Sequence, residues 1–298
     1  MSEAAEVIYG ETELSGTNPL DRSIFDVNVG CEKVIENVRC NIARPLPQFQ
    51  PIPERPMGQA EVALVHGGWS LEETMDELWE LVHRGVPVIA SNGAAAYLYE
   101  QNIRPDGHIL LDAQEANVRF VEKAIPDCVY YLASQCHPKV FDACEGRDIH
   151  IWHCGCFFKE GEKEILDDYY KKKYQIVPGG STVGIRSIGL AWLRGFRLIH
   201  IFGMDSCYAE DGRHHSFVQP QNDREQINAV LGVLSSGGEQ EAAISFRCSG
   251  WQASQAEQFV DFVKNCGDAF HLNMHGSGLL AAIVNTGAEL TLQSLKEG

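Results

Sequence analysis

From residue 57 onward, short apolar runs alternate with helical patterns, and this alternation constrains the fold more than any other feature of the chain. VALVHGG (62–68), VPVIASNG (86–93), GHILLD (107–112), CVYYLAS (128–134), DIHIWHC (148–154) and LIHIF (198–202) each have the length and composition of a buried strand. Between them, SLEETMDELWELVHRG (70–85) carries a buried stripe of Leu71, Met75, Leu78 and Val82. Ser70 and Glu73 form a candidate capping box and Gly85 a stop. AAAYLYEQ, AQEANVRFVEKAI and a segment near 181–194 supply further helices. Strands that are apolar throughout, separated by helices, predict an α/β, Rossmann-like fold: a mostly parallel sheet with helices on both faces. In such sheets ligands bind beyond the carboxyl ends of the strands, near the point where the strand order reverses.

The N-terminal part reads differently. Residues 1–20 are acidic and poor in large apolar side chains, which predicts a mobile segment. A helical pattern covers 24–42, and PLPQFQPIPERPMG, with five prolines, predicts an extended linker. The expected division is therefore an N-terminal segment, 1–56, and one large domain, 57–298.

Charge and cysteine content narrow the function. The formal net charge is -17 and the pI near 5.0. Such a surface repels a phosphate backbone, so no nucleic-acid partner is expected. No stretch approaches the length of a membrane span, and the N-terminus lacks the basic and apolar regions of a signal peptide. The ten cysteines contain no CxxC pair, and several lie inside apolar runs. They read as small buried thiols in a reducing compartment, and the expected location is cytoplasmic.

Four strand ends carry small or polar residues: Gly67, Gly68, Trp69 and Ser70; Ser91, Asn92 and Gly93; Asp112; and Gly203, Met204 and Asp205. Each alone reads equally as a turn or a helix cap. On one sheet edge they make a polar, glycine-lined crevice. Glycines let backbone N–H groups approach a phosphate, and a helix start adds partial positive charge. Asn92 suits a base edge or a ribose hydroxyl. Asp112 and Asp205 suit ribose, Mg²⁺ or proton transfer. The turn Gly179-Gly180-Ser181-Thr182 matches neither GxGxxG nor a P-loop, and reads as an anion nest or a plain helix cap.

Beyond Asp205, SCYAEDGRHHSF places Tyr208, Arg213, His214 and His215 together, as a base, a phosphate ligand or an exposed turn. HIWHCGC lacks a zinc-ligand spacing with a second cluster, so no metal site is assigned. The charged, aromatic segment 157–178 reads as a lid or a solvated helix.

Taken in order, these motifs resemble a known family. VALVHGGWSL is similar to a GxGPSL motif, with His66 at the first glycine and Trp69 at the proline. PVIASNGAAAYLYEQNIRPDGHILLD, PGGSTVGIRSIGLAWLRGFRLIHIFGMD with its His-rich turn, WQASQAEQF and HLNMHGSGLL follow as in that family. The chain resembles the 6-hydroxymethylpterin diphosphokinase-like domains, which are related to motility accessory factors and to sialyltransferase-like bacterial glycosyltransferases. Within them it looks most similar to a phage-type branch, which would make the cytoplasm that of a bacterial host.

The resemblance implies a sialyltransferase-like fold and a nucleotide at the strand ends. By motif position Gly67, Gly68, Ser70, Asn92, Asp112, Gly180, Ser181 and Thr182 would bind the nucleotide. Asp205, His214 and His215 would be catalytic. The first expectation is glycosyl transfer from a nucleotide-sugar of the CMP type to a hydroxyl on a small-molecule or glycan acceptor. The second is Mg²⁺-dependent pyrophosphoryl transfer from ATP to a pterin-like alcohol, the only reading that calls for a cofactor. The third is a non-catalytic, nucleotide-binding assembly protein.

Overall fold

The computed structural model describes residues 29–56, 58–154, 162–218, 226–234, 240–287 and 289–292. The acidic segment 1–20 and the start of the 24–42 pattern lie outside the described residues, as does the first part of the lid candidate.

Seven parallel strands form the central sheet: β1 (Glu61–Val65), β2 (Val88–Ser91), β3 (Gly107–Leu110), β4 (Val129–Ala133), β5 (Ile149–Trp152), β6 (Leu198–Phe202) and β9 (His271–Met274). Their spatial order is β5-β4-β3-β2-β1-β6-β9. The chain thus walks outward from β1 to β5, then returns to place β6 on the other side of β1. The order reverses between β1 and β6, which pair from Glu61↔Leu198 to Val65↔Phe202. This is where a parallel sheet opens a crevice for ligand. Four consecutive residues of β2 and of β3 are buried, as covered faces require.

The helices are α1 (Cys31–Ile42), α2 (Met75–His83), α3 (Ala94–Glu100), α4 (Pro138–Ala143), α5 (Glu162–Tyr170), α6 (Val183–Leu193), α7 (Gly250–Cys266) and α8 (Leu279–Thr286). Two helical expectations change. The single helix over 70–85 is a 3₁₀ segment, Trp69–Thr74, followed by α2. Its Ser70–Glu73 capping box is absent, because the Ser70 hydroxyl bonds to Asp205 instead. The AQEANVRFVEKAI helix is reduced to a 3₁₀ segment, Glu115–Phe120. A second, antiparallel sheet of β7 (Gln226–Leu234), β8 (Gln240–Ser249) and β10 (Glu289–Leu292), in the order β10-β7-β8, was not expected from the pattern.

The proline-rich stretch is extended, and it also packs. Gln48 forms a parallel bridge to Ile151 at the edge strand β5, and Phe49 is buried. Ile52 N–H donates to Leu193 O at 2.7 Å and Arg55 Nε to Arg194 O at 2.7 Å. The stretch therefore covers a sheet edge that would otherwise invite pairing. Helix α1 is pinned by two buried asparagines. Asn37 Nδ2 donates to Ala113 O (3.2 Å) and Gln135 O (3.1 Å). Asn41 Nδ2 donates to Ser134 O (3.0 Å) and Cys136 O (2.7 Å). These carbonyls follow β3 and β4, so α1 fixes the strand-end loops on that half of the sheet. Helix α5 carries the buried Leu166 and packs against α1.

The described cysteines are all free, and most are buried. Burial pushes the thiols of Cys128, Cys207 and Cys248 up to about 12, so they are unreactive thiols at neutral pH. Among the described residues no helix is long and apolar enough to cross a membrane.

Losing both bonds of a buried amide leaves two carbonyls unsatisfied, at about 1–3 kcal/mol for each unsatisfied group. Asn41→Ala is expected to lower the urea midpoint substantially with an unchanged m-value, and Asn37→Ala to do the same. A midpoint within error of wild type for both would show that α1 is not a structural part of the domain.

Candidate functional site

The polar edge is organised by one buried carboxylate. Asp205 follows β6 and is only 5% exposed. Its Oδ2 accepts from Ser70 N–H at 2.9 Å, and its Oδ1 accepts from the Ser70 hydroxyl. Ser70 itself is fully buried. A side chain at Gly68 would collide with Asp205 Oδ2 and Gly203 O; one at Gly278 would collide with the same carboxylate from the other side. Three turns, those after β1, β6 and β9, thus close on one side chain. Burial is the main influence on its proton, and it raises the carboxyl to about 6 against the opposing pull of the two Ser70 bonds.

The Gly67-Gly68 turn is already engaged. Gly68 N–H donates to Gly203 O at 2.7 Å. Gly67 O accepts from Ser216 N–H at 3.1 Å, and Gly68 forms an antiparallel bridge to His215. The Ser216 hydroxyl donates to Gly68 O (2.8 Å) or Trp69 O (2.9 Å) and accepts from Glu72 N–H (3.1 Å). The loop 213–217 therefore lies directly over the β1 turn, with His215 and Phe217 filling the space in front of Gly67.

His214 and His215 are in mutual contact through their Nδ1 atoms. Tyr208 and Trp251 lie against His214, with ring centroids at 5.6 and 5.2 Å. Burial pushes both imidazoles down, to about 4 for His214 and about 3 for His215. Both are therefore neutral at pH 7. An Nδ1–Nδ1 hydrogen bond between neutral rings puts the proton on one Nδ1, and that ring then carries an unprotonated Nε2. The pair presents a proton acceptor without titrating first.

The start of α6 lies on the same edge. Gln255 Nε2 donates to Thr182 Oγ1 at 3.1 Å, while Gln255 Oε1 accepts from the Ser206 hydroxyl at 2.8 Å. Gln255 thus ties the α6 start to the residue after Asp205. Gln258 Oε1 accepts from Ser181 N–H at 2.7 Å. Gly180 is buried against Gln258, and Ser181 is exposed. Within the sheet edge, His66 at the end of β1 bonds to Ser91 Oγ at 2.8 Å and approaches Ser187 Oγ at 3.4 Å. Burial lowers His66 to about 4, so it is a neutral link between β1, β2 and α6.

Asn92 adopts a left-handed conformation (φ 47°) after β2, and its buried Oδ1 has no hydrogen-bond partner among the described residues. That is an acceptor waiting for a donor, in a place where orphaned polar atoms are rare. Asp112 follows β3 and accepts from Gln114 N–H at 3.1 Å. It lies along the same edge, and none of its hydrogen bonds reaches the Asp205 cluster. Among the described residues no three His, Cys, Asp or Glu side chains gather into a metal-binding group.

Gln255, Gln258, Gly276 and Gly278 were not singled out from sequence. The signal for the glutamines is the row Gln252, Gln255, Gln258, spaced three apart on α7. The signal for the glycines is the HGSG turn after β9, where Gly276 (φ +97°) passes against the Ser70 hydroxyl.

A carboxyl raised to about 6 by folding binds its proton more tightly folded than unfolded, where about 3.9 is usual. The stability it contributes is complete below about 4 and is lost as pH rises toward 6. Asp205→Asn keeps a group able to accept from Ser70 N–H while removing the titration. The fall in unfolding free energy between pH 4 and 6 should be shallower in this variant than in wild type. Parallel curves would show that Asp205 is not protonated in the folded state across that window.

A comparison with curated protein sequences finds no significant match. Among solved structures, the MAf glycosyltransferase from Magnetospirillum magneticum AMB-1 superposes with a TM-score of 0.57 at 13% identity over 82% of this chain. This chain spans only 36% of that protein. A mammalian sialyltransferase in complex with Gal-beta-1-3GalNAc-ortho-nitrophenol also matches, at a TM-score of 0.41 and 11% identity, over 86% of this chain and 82% of that one. The fold is thus shared with a glycosyltransferase, although identity this low extends to fold alone. Residues 32–211 match the family described as 6-hydroxymethylpterin diphosphokinase MptE-like, from α1 through the turn that follows Asp205, and the chain belongs to that family.

Proposed function

We propose that the protein is a nucleotide-dependent transferase, and that it moves a glycosyl group from a nucleotide-sugar, of the CMP type, to a hydroxyl acceptor. The observation that carries this reading is the neutral His214–His215 pair beside the β1/β6 crevice, with Thr182 and Ser181 at the adjacent helix start. In the reaction the acceptor oxygen bonds to the anomeric carbon as the bond from that carbon to the phosphate oxygen breaks. The electron pair leaves on the phosphate. The acceptor proton passes to the free Nε2 of the histidine pair. Ser181 and Thr182, at the start of α6, would stabilise the departing phosphate, with the helix dipole adding to their effect. Asn92, through its unpartnered Oδ1, would take a donor from base or ribose. Asp112, farther along the edge, would serve the nucleoside side. Gly67, Gly68, Gly180 and Ser70 shape the crevice, and Asp205 holds its turns together.

Pyrophosphoryl transfer is less well served. It would use Asp112 and Asp205 to hold Mg²⁺, yet both oxygens of the Asp205 carboxylate are engaged by Ser70 and walled in by Gly68 and Gly278. The fold similarity to a glycosyltransferase supports the first reading in the same direction.

Thermal shift with CMP, CMP-sugars, UDP, GDP and ATP, each with and without Mg²⁺, tests the reading. A ligand bound only by the folded state at 100 times its Kd stabilises by about 2.7 kcal/mol. CMP or a CMP-sugar should raise Tm without Mg²⁺, and Ser181→Ala/Thr182→Ala should abolish the shift. His214→Ala/His215→Ala should keep the shift while donor turnover falls by about 10²-fold or more. A shift seen only with ATP and Mg²⁺ would favour pyrophosphoryl transfer. No shift with any nucleotide would contradict both.

A further inference from the structure

Beside the histidine pair is an open cleft of about 350 Å³ that no step above uses. Its walls are Tyr97 and Phe217, stacked at 5.3 Å and 27°, together with Phe120. Arg119 and Glu100 supply its charges. The two charges are not equivalent. Glu100 is exposed and faces Lys123 at 3.6 Å. Arg119 lies with its guanidinium carbon 4.7 Å from the centre of the Phe120 ring, and its Nε is buried with no hydrogen-bond partner among the described residues. A guanidinium offers five donors in a fixed fork, and leaving one buried and unmet is costly. The cleft adjoins the base through Phe217, whose ring lies 5.9 Å from the His215 ring.

Resting on the glycosyl-transfer reading, we infer that this cleft is the acceptor subsite, and that it selects an acceptor ring bearing a carboxylate or phosphate. Arg119 would take the anion as a fork, and Tyr97 and Phe217 would carry the apolar face of the ring. The acceptor hydroxyl would then lie toward His215. The volume supports the assignment. It sits at the low end of the roughly 300–1,000 Å³ typical of ligand pockets, which suits a sugar ring and is small for a whole nucleotide-sugar. The donor is left to the crevice between β1 and β6.

Methyl β-D-glucuronide and methyl β-D-glucoside differ only in the carboxylate, and so serve as probes. Ligand-observed NMR titration against the full-length chain reads their affinities, with each sugar tested with and without saturating CMP. The glucuronide should bind wild type at least ten-fold more tightly than the glucoside. Arg119→Gln should remove that preference, Arg119→Lys should retain part of it, and Tyr97→Ala should weaken both sugars. Equal affinities in wild type, no binding of either sugar, or a preference that survives Arg119→Gln would each overturn the inference. A glucuronide preference that depends on Arg119 in a protein that binds no nucleotide would leave the anionic subsite standing and remove the transfer reading, so the two fail separately.

Discussion

The strand-end architecture depends on one contact, the Asp205 carboxylate held by the backbone and hydroxyl of Ser70. A carboxylate buried this deeply is costly unless its oxygens are satisfied. Ser70 can satisfy both only because the 3₁₀ turn after β1 presents its N–H and its hydroxyl to the same side. That approach in turn needs bare backbone at Gly68 and Gly278. The turns after β1, β6 and β9 are consequently one unit, and a change in any of them is felt in the other two. The same unit stands where the strand order reverses, so the feature that holds the sheet edge together also shapes the opening beside it.

Around that unit, side chains from distant parts of the chain complete the edge. The loop carrying His215 and Ser216 lies over the β1 turn and turns the glycines from an open backbone into a floor for the histidine pair. Gln255 spans from the α6 start to Ser206, and Gln258 takes the first free N–H of that start. Neutral histidines beside a helix start, rather than a gathered set of carboxylates, give the edge its chemical character. On the proposed reading, that character serves to remove a proton from a hydroxyl while a phosphate departs.

Much of this was legible in the sequence. The six apolar runs from VALVH to LIHIF are β1 to β6, because strands buried on both faces must be apolar at every position. The residues just past those runs are the ones at the sheet edge, since a parallel sheet aligns all its strand ends. What sequence could not supply was pairing over long separations. Ser70 has the position of a helix cap, and only the fold brings Asp205 to its hydroxyl in place of its own helix. Gln255, Gln258 and Gly278 enter from α7 and the β9–α8 turn, whose place beside β6 follows from strand order rather than from any local pattern. Gly67 and Gly68 suggest an exposed phosphate loop. Gly68 N–H and Gly67 O are instead bonded to Gly203 and Ser216, partners that only the fold brings to them. The proline-rich stretch is extended as its prolines require, yet its carbonyls and Phe49 tie it along the β5 edge and the end of α6.

On the proposed reading, ligand enters the crevice between β1 and β6, bounded by the α6 start and the histidine loop. Hydrogen exchange read by mass spectrometry, with and without a saturating CMP-sugar, tests it most directly. Exchange should slow in peptides covering 66–72, 179–185 and 213–218, and stay unchanged over α1 and α4. Protection confined to other segments, or no protection at the strand ends while the nucleotide is demonstrably bound, would contradict the account.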